Sequence, residues 1–382
     1  MLVPAGGASA RPFHLLYTFQ NFTDGDEPHA GLIKDAQGNY YGTSFSGGTS
    51  GNGNGTVFTL APDGTETVLH SFTDGPDGEY PGAPLIMDSA GNLYGTTQEG
   101  GVAGGCNNFG CGVVFEMTPG GTETELYTFS GGADGAFPMS ALLADKKGDF
   151  YGTTDGGGTD EWGTVFEVSS SGSETVLHSF AGGSDGNGPQ AGLIADKSGN
   201  MYGTTKQGGG ACSGFGCGII FQVTPKGTET VLYAFTGGTD GGNPVASLIR
   251  DKSGNLYGTT EFGGLAGGCG GSGCGTVFKL APSGALSVLY TFTGGSDGGQ
   301  PVAALVSDKE GNLYGTTLFW GAGYGVVFEL TPHGKERVLH SFTNGDDGAY
   351  PWGALLKDGK GFASTASGGG ATDFGTVFKV RK

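Results

Sequence analysis

Apolar residues along this chain come in short runs that return in a fixed order, each too short for a helix and separated by Gly, Asp, Asn and Pro. One run reads GNLYGTT. It stands at residues 38–44, 91–97, 148–154, 199–205, 254–260 and 311–317, with a decayed copy at 361–366. A GTVF-type run stands at 55–58, 112–115, 163–166, 218–221, 275–278, 325–328 and 375–378. A VLYTF-type run stands at 15–19, 68–72, 125–129, 176–180, 231–235, 288–292 and 338–342. A DGxxP string, followed by a short apolar run, begins at Asp24, Asp77, Asp134, Asp185, Asp240, Asp297 and Asp347. The runs are rich in Val, Leu, Thr, Tyr and Phe and none has a 3.6-residue period, so each repeat predicts four short β-strands and almost no helix. The tyrosines of the first string are 51 to 57 residues apart, which suits one four-stranded blade with its loops.

The connections are of two kinds. D-x-x-G-N, as at 251–255, and P-x-G, as at 62–64, are tight turns with Gly available for positive φ. The connections after YGTT and around DGxxP are longer and more varied. Strand alternation puts the two tight turns on one end of the blade and the two long loops on the other. The chain starts on an orphan VLYTF-type strand and ends on a GTVF-type strand. An open stack of repeats needs caps, whereas a ring needs none. The expected fold is therefore all-β: a seven-bladed β-propeller with four antiparallel strands per blade, closed by the N-terminal strand completing the last blade. Residues 13–382 form this one domain. Tyr94, Phe115 and their equivalents are expected to fill the space between blades. The Gly within YGTT is expected to mark close approach to the neighbouring blade.

Composition narrows the function. Gly is extreme at 83 of 382 residues but follows no collagen period, and 11% aromatic content in fixed places argues against disorder. A net charge of -19 excludes a nucleic-acid partner and an anionic membrane surface. No apolar run approaches the ~18 residues of a membrane span, so no membrane insertion is expected. Residues 1–12 have no apolar core, but Ala8-Ser9-Ala10 has the form of a cleavage site. They are expected to be disordered or the trimmed remnant of an exported precursor.

The strings GNLYGTT, GGxxxxGTVF and VLYTFxGGxDGxxP resemble the bacterial GloVer tandem-repeat family over about residues 13–381. The strand order is similar to that of NHL-type propellers. The resemblance implies an exported or surface protein and supplies no catalytic motif to transfer. Without the C-terminal anchor found beside such repeats, a secreted or periplasmic, monomeric module is expected.

Candidate chemistry gathers on the long loops, where a rigid scaffold carries function. All six cysteines are there, as Cys106/Cys111, Cys212/Cys217 and Cys269/Cys274. Equal placement and export favour three local disulfides; zinc shared by the last two pairs is the alternative. The seven DGxxP aspartates read as turn acceptors, with calcium as the alternative and no other cofactor expected. The repeat breaks its own rule after YGTT, at Phe45, Gln98-Glu99, Asp155, Lys206-Gln207, Glu261-Phe262 and Leu318-Phe319-Trp320. It breaks it again around the Pro of DGxxP, at residues 26–29, Tyr80, Phe137, Gln190 and 350–352. Aromatics beside carboxylates and amides suit a carbohydrate or another neutral, hydroxyl-rich ligand. Candidate ligand contacts are His29, Trp162, Gln190, Lys206, Phe319, Trp320, Tyr350 and Trp352. The alternative is a glycoside hydrolase or lyase with Glu99, Asp155 and Glu261 as acid/base candidates. A protein-interaction scaffold is the third reading. No nucleophile-elbow, zincin or P-loop string is present.

Overall fold

The computed structural model describes residues 13–382 apart from 51, 74, 102–104, 211, 213–215 and 265–267. The segment 1–12, expected to be disordered or trimmed, lies outside the described residues. Seven four-stranded antiparallel sheets form a propeller, each running from an inner to an outer strand in chain order. Blade 1 is Ile33–Lys34, Tyr40–Ser44, Thr56–Leu60 and Glu66–Ser71. Blades 2 to 6 repeat this plan, with second strands Leu93–Thr97, Phe150–Thr154, Met201–Thr205, Leu256–Thr260 and Leu313–Thr317. Blade 7 is Leu356–Asp358, Gly361–Ala366 and Thr376–Arg381, completed on its outer edge by Phe13–Thr18 from the other end of the chain. The expected ring closure is thus observed, with Phe13 opposite Val380 and Thr18 opposite Thr376.

Phenylalanine joins the blades. The Phe that ends each VLYTF run meets the GTVF Phe of the next blade edge-on, and both rings are fully buried. The contact occurs at all seven joints: Phe72–Phe115, Phe129–Phe166, Phe180–Phe221, Phe235–Phe278, Phe292–Phe328, Phe342–Phe378 and, across the closure, Phe19–Phe58. Centroids are 5.0 to 5.4 Å apart, the favoured T-shaped geometry. Tyrosines add a second layer, as where Tyr94 meets Phe150 at 4.5 Å. Nearer the axis, a Thr of YGTT donates across the joint to a carbonyl of the next blade: Thr153 to Ala191 at 3.1 Å, and Thr365 to Ala30 at 2.8 Å over the closure.

The YGTT glycine has a different reason from the one expected. A methyl on Gly95 would lie 2.6 Å from Cζ of Phe115 and 2.8 Å from Leu85. Both belong to the same blade, Phe115 directly opposite on the adjacent strand. The Gly therefore makes room for the ring of its own sheet, and that ring is the one the preceding blade packs on.

The DGxxP aspartates are held inside their own loops. Asp24 accepts from the Tyr17 hydroxyl at 2.7 Å and from the backbone N–H of Gln20 at 2.9 Å. In three blades a histidine replaces the Tyr, pairing His70 with Asp77, His178 with Asp185 and His340 with Asp347. At five joints a glutamate starting the outer strand of the next blade faces this pair. Glu66 faces Asp24, Glu123 faces His70 and Asp77 beside Glu125, Glu174 faces Asp134, Glu229 faces Asp185, and Glu336 faces Asp297. Oε1 of each is buried without a hydrogen-bond partner. Burial, with the facing Asp in each case, pushes all five carboxyls from 4.5 up to about 7. At one of the other two joints Phe13 takes the place of Glu and stacks on His340 at 3.9 Å.

Two predictions follow from these joints. Phe19→Ala should cost about 3–5 kcal/mol, as for other buried Phe, and removing residues 13–19 should end cooperative unfolding; an intact thermal transition in the truncated chain would overturn the closure. The second concerns pH. The five glutamates titrate higher folded than unfolded, so their contribution is complete below about pH 4.5 and is lost as pH rises through about 7. The D-x-x-G-N aspartates Asp35, Asp88, Asp196 and Asp251 go the other way. Burial raises them, but hydrogen bonds from the turn more than offset it and leave them below their ordinary value. Their contribution is present above about pH 4 and fades below it. Melting temperature should therefore peak at about pH 4–5, and Glu66→Gln should flatten the fall on the alkaline side; a maximum above pH 7 would contradict this assignment.

Candidate central binding site

Two rings of loop residues surround the propeller axis on the long-loop end. One is the residue that follows YGTT; the other is the residue that follows the Pro of DGxxP. The backbone fixes the first ring. The residue before each Pro is in the left-handed region, from φ 52° at Glu27 to 65° at Gly188. Its carbonyl accepts the N–H of the ring residue: Glu27 from Phe45, Tyr80 from Gln98, Phe137 from Asp155, Gly188 from Lys206 and Asn243 from Glu261, all at 2.9 to 3.1 Å. In blades 2 to 7 its own N–H reaches back to the preceding blade, as Phe137 does to the Cys111 carbonyl at 2.9 Å. Such clamps hold a site on rigid backbone before any ligand arrives.

Together the rings enclose a cavity of about 380 Å³. Its wall is divided. Over blades 7, 1 and 2 run aromatic rings: Trp352 lies 5.3 Å from His29, His29 5.0 Å from Phe45, and Phe45 stacks on Tyr80 at 5.0 Å and 17°. Trp352, His29 and Phe45 line the cavity itself. Burial lowers the His29 pKa to about 4, so this wall is uncharged near neutral pH. Over blades 2 to 5 the wall is polar, with Gln98, Gln190, Lys206 and Glu261 lining it. Asp155 stands behind Gln190, accepting from its amide at 3.0 Å. Burial raises the Asp155 and Glu261 carboxyls, and the Lys206 charge pulls against that shift in both. Among the described residues, one cluster could hold a metal ion: His178, Asp185 and Glu229, with ligand atoms within 4.8 Å of one another. It is one of the outer-rim joints described above, not part of this cavity.

The Gloeobacter/Verrucomicrobia repeat matches residues 4–216 and 213–382. The chain belongs to this family. Among solved structures, this Gloeobacter/Verrucomicrobia repeat propeller is similar to the extracellular domain of a one-component system protein from B. thetaiotaomicron, at 10% identity and TM-score 0.59. The match covers 97% of this chain and 40% of that one, so the chain spans about two fifths of that protein's length. A gluconolactonase of Xanthomonas campestris matches at 13% identity and TM-score 0.47, over 97% of this chain and 89% of that one. No curated protein matches the chain.

The propeller brings five of the sequence candidates to the cavity wall: His29, Gln190, Lys206, Glu261 and Trp352. Asp155 joins them through Gln190. The other candidates lie elsewhere. Glu99 is one position beyond Gln98, and its backbone pairs with that of Glu79. Trp162 packs on the next loop, where a methyl on Gly182 would meet its indole nitrogen at 2.9 Å. Trp320 packs in the same way against Gly299 and the loop of Cys274. Phe319 and Tyr350 form an edge-on pair at 5.4 Å with Trp320 and Tyr324 beside them, away from the cavity lining. Phe45, Gln98 and Tyr80 were visible as breaks in the repeat but were not singled out as contacts. The signal that finds Phe45 and Gln98 is their offset: they follow YGTT directly, as Asp155, Lys206 and Glu261 do, while the next residue alternates outward.

The cysteines form three local disulfides, Cys106–Cys111, Cys212–Cys217 and Cys269–Cys274, which removes the zinc alternative. Each packs on a Gly of the loop leading to the next blade, such as Gly131. Trp162 occupies the corresponding place on Gly182 in blade 3. No helix among the described residues is long and apolar enough to cross a membrane. Closing such short loops stabilises by about 2 kcal/mol each on the chain-entropy model. Reduction with dithiothreitol should therefore lower the melting temperature yet leave one cooperative transition with the β-sheet spectrum intact; loss of the fold on reduction would show the disulfides to be more than loop pins.

Proposed function

We propose that the central cavity binds a carbohydrate, or another neutral ligand with hydroxyls on one side and an apolar face on the other. The observation that carries this is the division of the wall. Three cavity-lining aromatic rings stand over blades 7 and 1, and amide and carboxylate groups over blades 2 to 5. Sugar rings present both kinds of surface, C–H faces for aromatic packing and hydroxyls for polar side chains. The clamped backbone supports binding without rearrangement. Three disulfides fit an oxidising, exported setting, and a chain that closes its own ring fits a monomer. Binding should be read on a glycan array and then by calorimetry. Trp352→Ala and Phe45→Ala should each weaken it by about 5- to 30-fold, the effect of losing a packed aromatic anchor. Trp162→Ala and Trp320→Ala should leave affinity unchanged; the reverse ranking would place the site on the outer loops.

A second reading, glycoside cleavage, has one observation in its favour. Burial raises both the Asp155 and the Glu261 carboxyl, on blades either side of Lys206, the direction a general acid needs. If it holds, Asp155→Asn and Glu261→Gln each abolish release of reducing ends while binding persists.

A further inference from the structure

Asp155, Lys206 and Glu261 occupy the same ring position in three consecutive blades. Lys206 is the one lysine or arginine among the described residues that line the cavity. A lone ammonium in a sugar-sized cavity would ordinarily recruit an anionic ligand. Here it is flanked. The two carboxyls both feel its charge, and one of them is further fixed by Gln190 at 3.0 Å. The arc therefore carries two negative charges against one positive when all three groups are ionised, in a chain of net charge -19.

The fold makes a local exception beside Asp155 and Lys206. In the other six blades the left-handed residue before Pro carries a side chain: Glu27, Tyr80, Phe137, Asn243, Gln300 and Tyr350. In blade 4 it is Gly188. A methyl there would stand 3.0 Å from Oδ1 of Asp155 and 3.9 Å from Cβ of Lys206. Blade 4 thus leaves open a space that both side chains border.

Building on the carbohydrate reading, we infer that the cavity selects neutral sugars against uronates, because Asp155 and Glu261 flank Lys206 in the ring and offset the positive charge that a sugar carboxylate would otherwise use. The carboxylates then serve two ends. They accept hydroxyl hydrogen bonds from a neutral sugar, and they repel a sugar that bears its own negative charge. The aromatic wall is indifferent to this choice, since His29 is uncharged above about pH 4.

The test is calorimetry at low salt with cello-, manno- and xylotetraose as neutral probes and galacturonate and mannuronate tetrasaccharides as anionic ones. Wild type should bind at least one neutral probe, and the uronates at least about tenfold more weakly. Asp155→Asn with Glu261→Gln leaves the Lys206 charge unopposed and keeps an acceptor for Gln190. That double variant should gain at least about tenfold for a uronate probe, and adding Lys206→Met should remove the gain. Equal wild-type affinity for neutral and anionic probes overturns the inference, as does a double variant that gains nothing. Wild type that binds none of the five probes overturns the carbohydrate reading and the inference with it. Should the double variant lose its cooperative melt, wild type alone serves. Burial holds the cavity carboxyls above their ordinary value, so as pH falls they take up protons ahead of the sugar's own carboxylate and uronate affinity should rise; a flat series overturns the inference.

Discussion

Seven edge-on contacts between phenylalanine rings hold this molecule in its shape. Each blade is a small sheet with little interior of its own. It becomes stable only by giving one Phe to the next blade and receiving one from the last. A chain of such contacts with two ends would leave a buried-type ring exposed at each end. The closure removes both ends at once, since Phe19 follows the first strand and meets Phe58. The glycine of YGTT is part of the same interaction, because the receiving ring lies across it. Glycine and phenylalanine, opposite in bulk, are thus one device repeated around the axis.

The rim depends on a harder compromise. Placing a Glu over a Tyr–Asp or His–Asp pair buries one carboxyl against another, and five joints accept this. The joint between blades 6 and 7 does not, because Phe13 stacks on His340 there instead. That joint is made by strands from opposite ends of the chain, and an aromatic stack stands there where the others place a facing carboxyl.

Much of the fold could be read from the sequence because periodicity is a direct record of sheet geometry. Strand count, blade order, closure, the two unlike ends and the disulfides all follow from spacing and phase. The cavity was legible only in part. Its residues are those that break the repeat, so they could be found; which of them face the axis depends on a single step of alternation after YGTT. That step separates Gln98 from Glu99 and Leu318 from Phe319. The tryptophans misled for a physical reason. A large ring on a loop satisfies its burial wherever a flat surface is offered, and Gly182 and Gly299 offer one to Trp162 and Trp320. Trp352 instead lies 5.3 Å from His29 and lines the cavity. The reason for Gly in YGTT was invisible in one dimension, because the ring it accommodates sits about twenty residues away on the adjacent strand.

The left-handed residue before each Pro has a consequence beyond rigidity. It takes the ring residue's main-chain N–H out of play, so folding makes no demand on what that residue's side chain is. The seven ring positions hold Phe45, Gln98, Asp155, Lys206, Glu261, Leu318 and Ser367, side chains of very different kinds on the same main-chain hydrogen bond. The propeller is in this sense a mounting plate with interchangeable fittings. Its recognition surface can be rewritten one blade at a time, by single substitutions that the surrounding sheet does not register.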